Sequence, residues 1–182
     1  LRLFIKLLCE GKSLDEIKKL NEQENLFSAS SSERGLMIFS TLRRRIESID
    51  STIISLFSNL DVSNQKLINL ISIMAMEHLF FEFVYEVYRD KVMMGTDEIT
   101  DTDYRVFFKN KQMQSEKVAK WTNQTLNRLT KTYKLYLSEA GVTDKELGTR
   151  TIMVPVIDPQ LEQWLIDHQM KVYLQALTGV EA

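Results

Sequence analysis

The sequence predicts a mainly α fold, a helical bundle with a helix-turn-helix-like N-terminal unit and at most a short β wing near residues 150–157. Three observations predict it. Chain breakers are few, six glycines and two prolines, Pro155 and Pro159, in 182 residues. Leu, Ile, Lys, Glu, Gln and Met are abundant, a set that favours helix over strand. Apolar residues recur at spacings of three and four along most of the chain, the period of a helix with one buried face.

The elements follow in order. Leu1 to Glu10 reads as the end of an amphipathic helix stopped at Gly11. In "GKSLDEIKKLNEQENLF", Ser13 stands three residues before Glu16, the spacing of a capping box, and Leu14, Ile17 and Leu20 give a short apolar face. "SASSSERGLMIFSTLRRRIESID" offers several serine caps and a third helix marked by Leu36, Phe39, Leu42, Ile46 and Ile49. Ile53 to Phe57 makes one more short segment. Together these suggest a helix-turn-helix-like part over residues 1–60, followed by a larger helical domain over 61–182.

That second part opens on the oiliest stretch, "LINLISIMAMEHLFFEFVYEVYR". Its longest charge-free piece has ten residues before Glu77, against the roughly 20 apolar residues a membrane span requires. Two apolar stripes at helical spacing predict a buried central helix instead. With Asp61 or Ser63 as cap and Gly95 as stop, it would run about 45 Å at 1.5 Å per residue. Thr100 and Asp103 then repeat the capping-box spacing. Ser115 is expected to cap a long helix that ends at Gly141, packing through Val118, Trp121, Thr125, Leu129, Tyr133, Tyr136 and Leu137. "TRTIMVPVID" alone has the β-branched density of a strand or wing. A closing helix begins near Pro159.

Chemistry-bearing residues are scarce. One cysteine, Cys9, excludes an internal disulfide and a thiolate-rich zinc site and fits a reducing cytoplasm. The chain opens on Leu1, which points to missing N-terminal residues and gives the absence of a signal peptide little weight. Cys9 reads as buried, His78 as a satisfied core histidine and His168 as a surface residue. The acidic group Asp97, Glu98, Asp101 and Asp103 lacks the ligand pattern of a calcium loop and is better explained by helix capping. There is no glycine-rich phosphate loop, dinucleotide fingerprint or nucleophile elbow. The expectation is a protein that is not an enzyme, with no cofactor, no metal, no catalytic residue and no small-molecule substrate.

Charge is more informative. The net charge of −2 hides a division: residues 1–49 carry +2, residues 50–104 carry −7, residues 105–150 carry +6 and the remainder −3. On the long helix Lys117, Lys120, Gln124, Arg128, Lys131 and Lys134 follow one another at three or four residues. That spacing places them along one face, a stripe able to track a phosphate backbone, where each neutralised phosphate releases counterions. A solvated helix surface accounts for the same stripe without a ligand. In a helix-turn-helix reading, Ser30, Ser31, Ser32 and Arg34 at the start of the third helix face base edges, while Arg43, Arg44 and Arg45 hold phosphates.

At family level, "KLINLISIMAMEHLFFEFVYEVYRDKVMMG" followed by "FFKNKQMQSEKVAKWTNQTLNRLTKTYKLYLSEAG" resembles the BrxA proteins of bacterial BREX phage-exclusion systems. "FFEFVYEVYRDK" and "SEKVAKW" are the specific parts; "EGKSLDEIKKLNEQENLF" and, more loosely, "VPVIDPQLEQWL" extend the likeness over most of the chain. The resemblance implies a small helical protein that binds double-stranded DNA without catalysis, in a defence system that distinguishes host from phage DNA. Its neighbours there include a methyltransferase, an ATPase and a phosphatase-like protein. Lys117 and Lys120 lie inside the matching motifs; Arg34, Arg43 to Arg45, Arg128, Lys131 and Lys134 rest on charge and placement. The acidic overall balance departs from what DNA binding suggests. Two other readings compete: an RNA-binding factor similar to helical antitermination proteins, and a scaffold that docks partner subunits.

Overall fold

A computed structural model describes residues 1–180 and is mainly helical, as the sequence predicts. The chain divides into two compact units, the first spanning Leu1–Met76 and the second beginning at Glu77. By packing, α5 belongs to the first unit, whereas the division at residue 60 placed it in the second. Among the described residues no single helix is long and apolar enough to cross a membrane.

The first unit contains α1 (Arg2–Cys9), α2 (Leu14–Glu24), α3 (Ser32–Glu47), α4 (Ile53–Phe57) and α5 (Val62–Met76). Gly11 stops α1 with φ of +84°, a left-handed conformation that side chains rarely adopt. The Ser13–Glu16 capping box forms in both directions: the Glu16 carboxylate accepts from Ser13 N–H at 2.7 Å, and Ser13 Oγ accepts from Glu16 N–H. The α2–α3 connection is held by Asn25, whose side chain bonds both the N–H and the carbonyl of Ala29. The two helices then cross closely, because Gly35 sits where a Cβ would lie 3.1 Å from the buried Asn21 amide. Phe4, Phe39, Ile46, Leu67 and Ile71 are among the side chains that fill the core, and α5 is buried on more than one face.

The second unit corrects two helix expectations. The central helix is not continuous. It ends at Met76, Glu77 leaves helical geometry at φ −115° and ψ 84°, and α6 (His78–Phe83) starts anew. A π-helical turn over Val84–Tyr88 follows, with Arg89 N–H bonded to the Val84 carbonyl five residues back, and then α7 (Arg89–Met93). Neither interruption has a glycine or proline to announce it. The expected long helix from Ser115 is also divided: α8 (Asp101–Gln114) leads to a single-turn α9 (Glu116–Ala119) capped by Ser115, and α10 (Asn123–Ala140) begins afresh with Thr122 as its own cap.

Rings make the core of this unit. Phe83 stacks on Tyr104 at 4.6 Å between centroids and meets Phe107 at 5.1 Å and Tyr133 at 5.5 Å. Burial pushes the Tyr104 and Tyr133 phenols well above their ordinary values. The wing reduces to a two-residue antiparallel ribbon, β1 (Glu98–Ile99) against β2 (Arg150–Thr151), with Ile99 opposite Arg150 and one further bridge between Thr143 and Ile152. Pro159 opens α11 (Pro159–Asp167), and α12 (Lys171–Thr178) closes the described chain.

Candidate nucleic-acid interface

In the first unit the candidate side chains lie on α3. Ser31 is the cap: its hydroxyl accepts from Arg34 N–H at 3.2 Å, while Ser30 and Ser32 stay exposed beside it. The three consecutive arginines do not form one cluster. Successive helical residues point about 100° apart, so a run of three fans over more than half of the helix circumference. Arg43 turns to Glu47, its Nε donating at 2.7 Å. Arg45 donates to Asn69 Oδ1 at 3.2 Å and is half-buried. Arg44 is exposed. Arg34 and Arg45 line a groove of about 240 Å³ with Met37, Ile38, Thr41 and Leu42, so α3 presents a basic, accessible surface.

The second unit holds the ten basic residues of the 105–150 segment, and its geometry sorts them. Lys111 is buried; its Nζ donates to Glu86 at 2.6 Å and lies 3.1 Å from Glu82. Burial alone would lower the pKa of that ammonium, but hydrogen bonds and charge from Glu86 and Glu82 outweigh it and raise it. Arg150 is buried and donates to the carbonyls of Lys134 and Asp144. Lys145 pairs with Glu139. Lys134 forms an ion pair with Asp101, lies 5.5 Å from the Tyr104 ring, and has only 14% of its side chain exposed. Lys134 is therefore a tether between α8 and α10 and not the end of a free basic stripe.

Arg105, Lys109, Lys117, Lys120, Arg128 and Lys131 are exposed, with no ion pair among the described residues. Arg128 and Lys131 lie three residues apart on α10 and share a face. Lys117 belongs to the single turn of α9 and Lys120 caps its end, so the break before Asn123 removes both from the α10 stripe. Arg105 and Lys109 on α8 are two exposed cations outside the sequence candidates, and their spacing of four, which puts them on one helix face, is the signal the sequence carries for them.

Other residues also differ from expectation. Cys9 is exposed, its Sγ near Ser58 Oγ and the Ile54 carbonyl, because it falls at the last turn of α1. His78 is exposed and faces Glu82 at 3.2 Å, since the break at Glu77 places it at a helix start and not mid-core. His168 is half-buried, stacked on Trp164 at 4.2 Å. Of the acidic group, Asp103 caps: its carboxylate accepts from Thr100 N–H at 2.6 Å and from the Thr100 hydroxyl at 2.8 Å, whereas Glu98 lies in β1 and Asp101 pairs with Lys134. Among the described residues no group of His, Cys, Asp and Glu is arranged to hold a metal ion.

Fold and charge together define a class, a small mainly helical protein that presents unpaired cations on helix faces. The chain belongs to the BrxA family, whose sequence model matches residues 1–169. A relative from Bacillus cereus (strain H3081.97), described as BREX protein BrxA, is 34% identical over 173 residues, which cover 95% of this chain and 86% of the relative. A crystal structure of an uncharacterized protein from Magnetospirillum magneticum has the same fold, with a TM-score of 0.78 at 17% identity over 98% of this chain and 91% of that one.

Proposed function

We propose that this protein is a non-enzymatic, double-stranded DNA-binding accessory component of a BREX-type phage defence system. The observation that carries the reading is the set of exposed cations without carboxylate partners: Arg34 and Arg44 on α3, Lys117 and Lys120 at α9, and Arg128 and Lys131 on α10. An exposed cation already paired gains little from a phosphate, because it gives up one anion for another; an unpaired one gains the full contact and releases counterions. Helix α3, crossing closely over α2 after the connection 25–31, serves as the insertion helix of a helix-turn-helix, with Arg34 near its N-terminal end. Affinity is mostly independent of base sequence. Family membership supports the setting, with other BREX proteins, such as a methyltransferase, as partners inside the cell.

Titration of the pure full chain with labelled duplex DNA and duplex RNA at two salt concentrations tests this. The expected result is DNA binding that weakens steeply with salt and weakens further in the Lys120→Glu/Arg128→Glu double variant. No DNA binding up to tens of micromolar at low salt would sink the reading in favour of a scaffold, and a clear preference for RNA would favour an antitermination-like factor.

A further inference from the structure

The surface between the π-helical turn, α7 and α8 has the opposite character from the cationic helices. A groove of about 400 Å³ runs there, within the roughly 300–1,000 Å³ of sites that hold a ligand. Val87, Met94, Val106 and Phe107 form its apolar part. Two of them are open to solvent: Met94 is 78% exposed and Val106 52%. Glu86, Asp90 and Asp103 contribute three negative charges to its lining against one positive, Lys91. Lys91 is held by Asp103 at 3.1 Å. Glu86 accepts from Lys111 at 2.6 Å and Asp90 lies 3.8 Å from Arg89, yet both side chains remain about half exposed, which leaves carboxylate oxygen open to a further cation.

The wider segment agrees with this local sign. Residues 77–104 carry eight acidic and two basic groups, a net of −6. Such a segment favours a cationic partner over a phosphate backbone, and its exposed apolar side chains also favour an apolar partner surface. Methionine suits that role because its unbranched thioether adapts to the shape it meets. The π-helical turn adds an independent sign: it is the rarer and less stable helical form, found frequently at functional sites, and it supplies Glu86 and Val87 to this groove.

We propose that this groove docks a basic amphipathic helix of a partner protein, its apolar stripe seated on Val87, Met94 and Val106 and its flanking lysines or arginines on Glu86 and Asp90. The arrangement is the helix-in-groove mode, in which anchors at helical spacing give affinity and charged flanks give register. One molecule then offers opposite signs to two classes of partner, nucleic acid on its cationic helices and a basic protein segment here.

The test uses the full chain and a synthetic fluorescein-labelled helical peptide with leucines at i, i+4 and i+7 flanked by lysines, read by anisotropy. The control is the same peptide with every lysine replaced by glutamate. The expected result is saturable micromolar binding of the lysine peptide, none of the glutamate peptide, and at least tenfold weakening by Met94→Glu, by Val106→Glu and by Glu86→Lys/Asp90→Lys. Met94 is so exposed that Met94→Glu leaves the fold intact, which thermal melting by circular dichroism verifies. Equal binding of both peptides, binding undiminished in Met94→Glu, or no binding of the lysine peptide at hundreds of micromolar overturns the proposal. DNA titration is a separate readout, so failure here leaves the DNA reading standing.

Discussion

Neutralising Arg128 and Lys131 while leaving Lys134 in place separates the surface seen in the structure from the stripe drawn on the sequence. Each phosphate neutralised contributes about 0.9 to the slope of log affinity against log salt, so raising salt from about 50 to 200 mM weakens binding about 3.5-fold per contact. If Lys117, Lys120, Arg128 and Lys131 each neutralise one phosphate, those four contacts account for about a 150-fold loss over that range, and two of them for about 12-fold. The Arg128→Gln/Lys131→Gln variant should therefore bind duplex DNA with a slope shallower by about 1.8. Lys134→Gln should leave the slope unchanged, because that ammonium already faces Asp101 and little of its side chain reaches solvent. Its cost falls on stability, about 1 kcal/mol or less for a pair whose Asp101 side is exposed. Fluorescence anisotropy at four salt concentrations gives the slopes. If Lys134→Gln lowers the slope as much as the other substitutions do, the Asp101 pair does not hold Lys134 in solution and the continuous stripe is the better account. If the double variant keeps the wild-type slope, α10 does not touch phosphate.

Two further predictions concern the fold that carries these surfaces. Phe83→Ala removes the ring between Tyr104, Phe107 and Tyr133 and should cost about 3–5 kcal/mol in urea denaturation; a loss below about 1 kcal/mol would show that the aromatic cluster is not the core of the second unit. Asp103→Asn weakens the cap on α8 and the Lys91 pair and should cost about 1 kcal/mol at pH 7. Burial acts to raise the Asp103 carboxyl, but the hydrogen bonds from Thr100 and the Lys91 charge outweigh it and hold the pKa below the ordinary aspartate value. A depressed folded value stabilises at pH above the unfolded one, about 3.9, and that stability is lost as pH falls through the folded value. The gap between wild type and Asp103→Asn should thus narrow below about pH 3.9; a gap that stays constant down to pH 2 would show that ionisation of Asp103 contributes nothing.

Signals written in a few neighbouring residues were legible in the sequence. The Ser13–Glu16 and Thr100–Asp103 spacings, and the glycines at 11, 95 and 141 with positive φ, mark helix ends correctly because caps are local. The family was legible too, through the apolar stretch that forms α5, α6 and the π-helical turn. What could not be read depends on distant partners or on backbone choices without a marker residue. The Lys134–Asp101 pair spans 33 positions of sequence, and Lys111 meets Glu86 across 25. The break at Glu77 lies in a sequence that would continue a helix, so His78 looked like a core residue. The break before Asn123 was foreshadowed by Thr122, a good cap, yet the helical period on both sides hid it. For the candidate interface, residue type was the easy part. Which cations remain unpaired was decided by tertiary structure.

The π-helical turn also carries a spare residue. By holding Val84 to Arg89 over five residues where an α-helix uses four, it takes one residue more than a regular turn. Deleting one residue between them would restore the regular repeat, and because the wide turn spends five residues on about the arc that four cover in an α-helix, α7 would keep its phase. Lys91 would stay opposite Asp103, while Glu86 and Val87, which the turn itself presents to the acidic groove, would be re-aimed. The extra residue is thus a local device: it sets the direction of two side chains without altering the helix that follows.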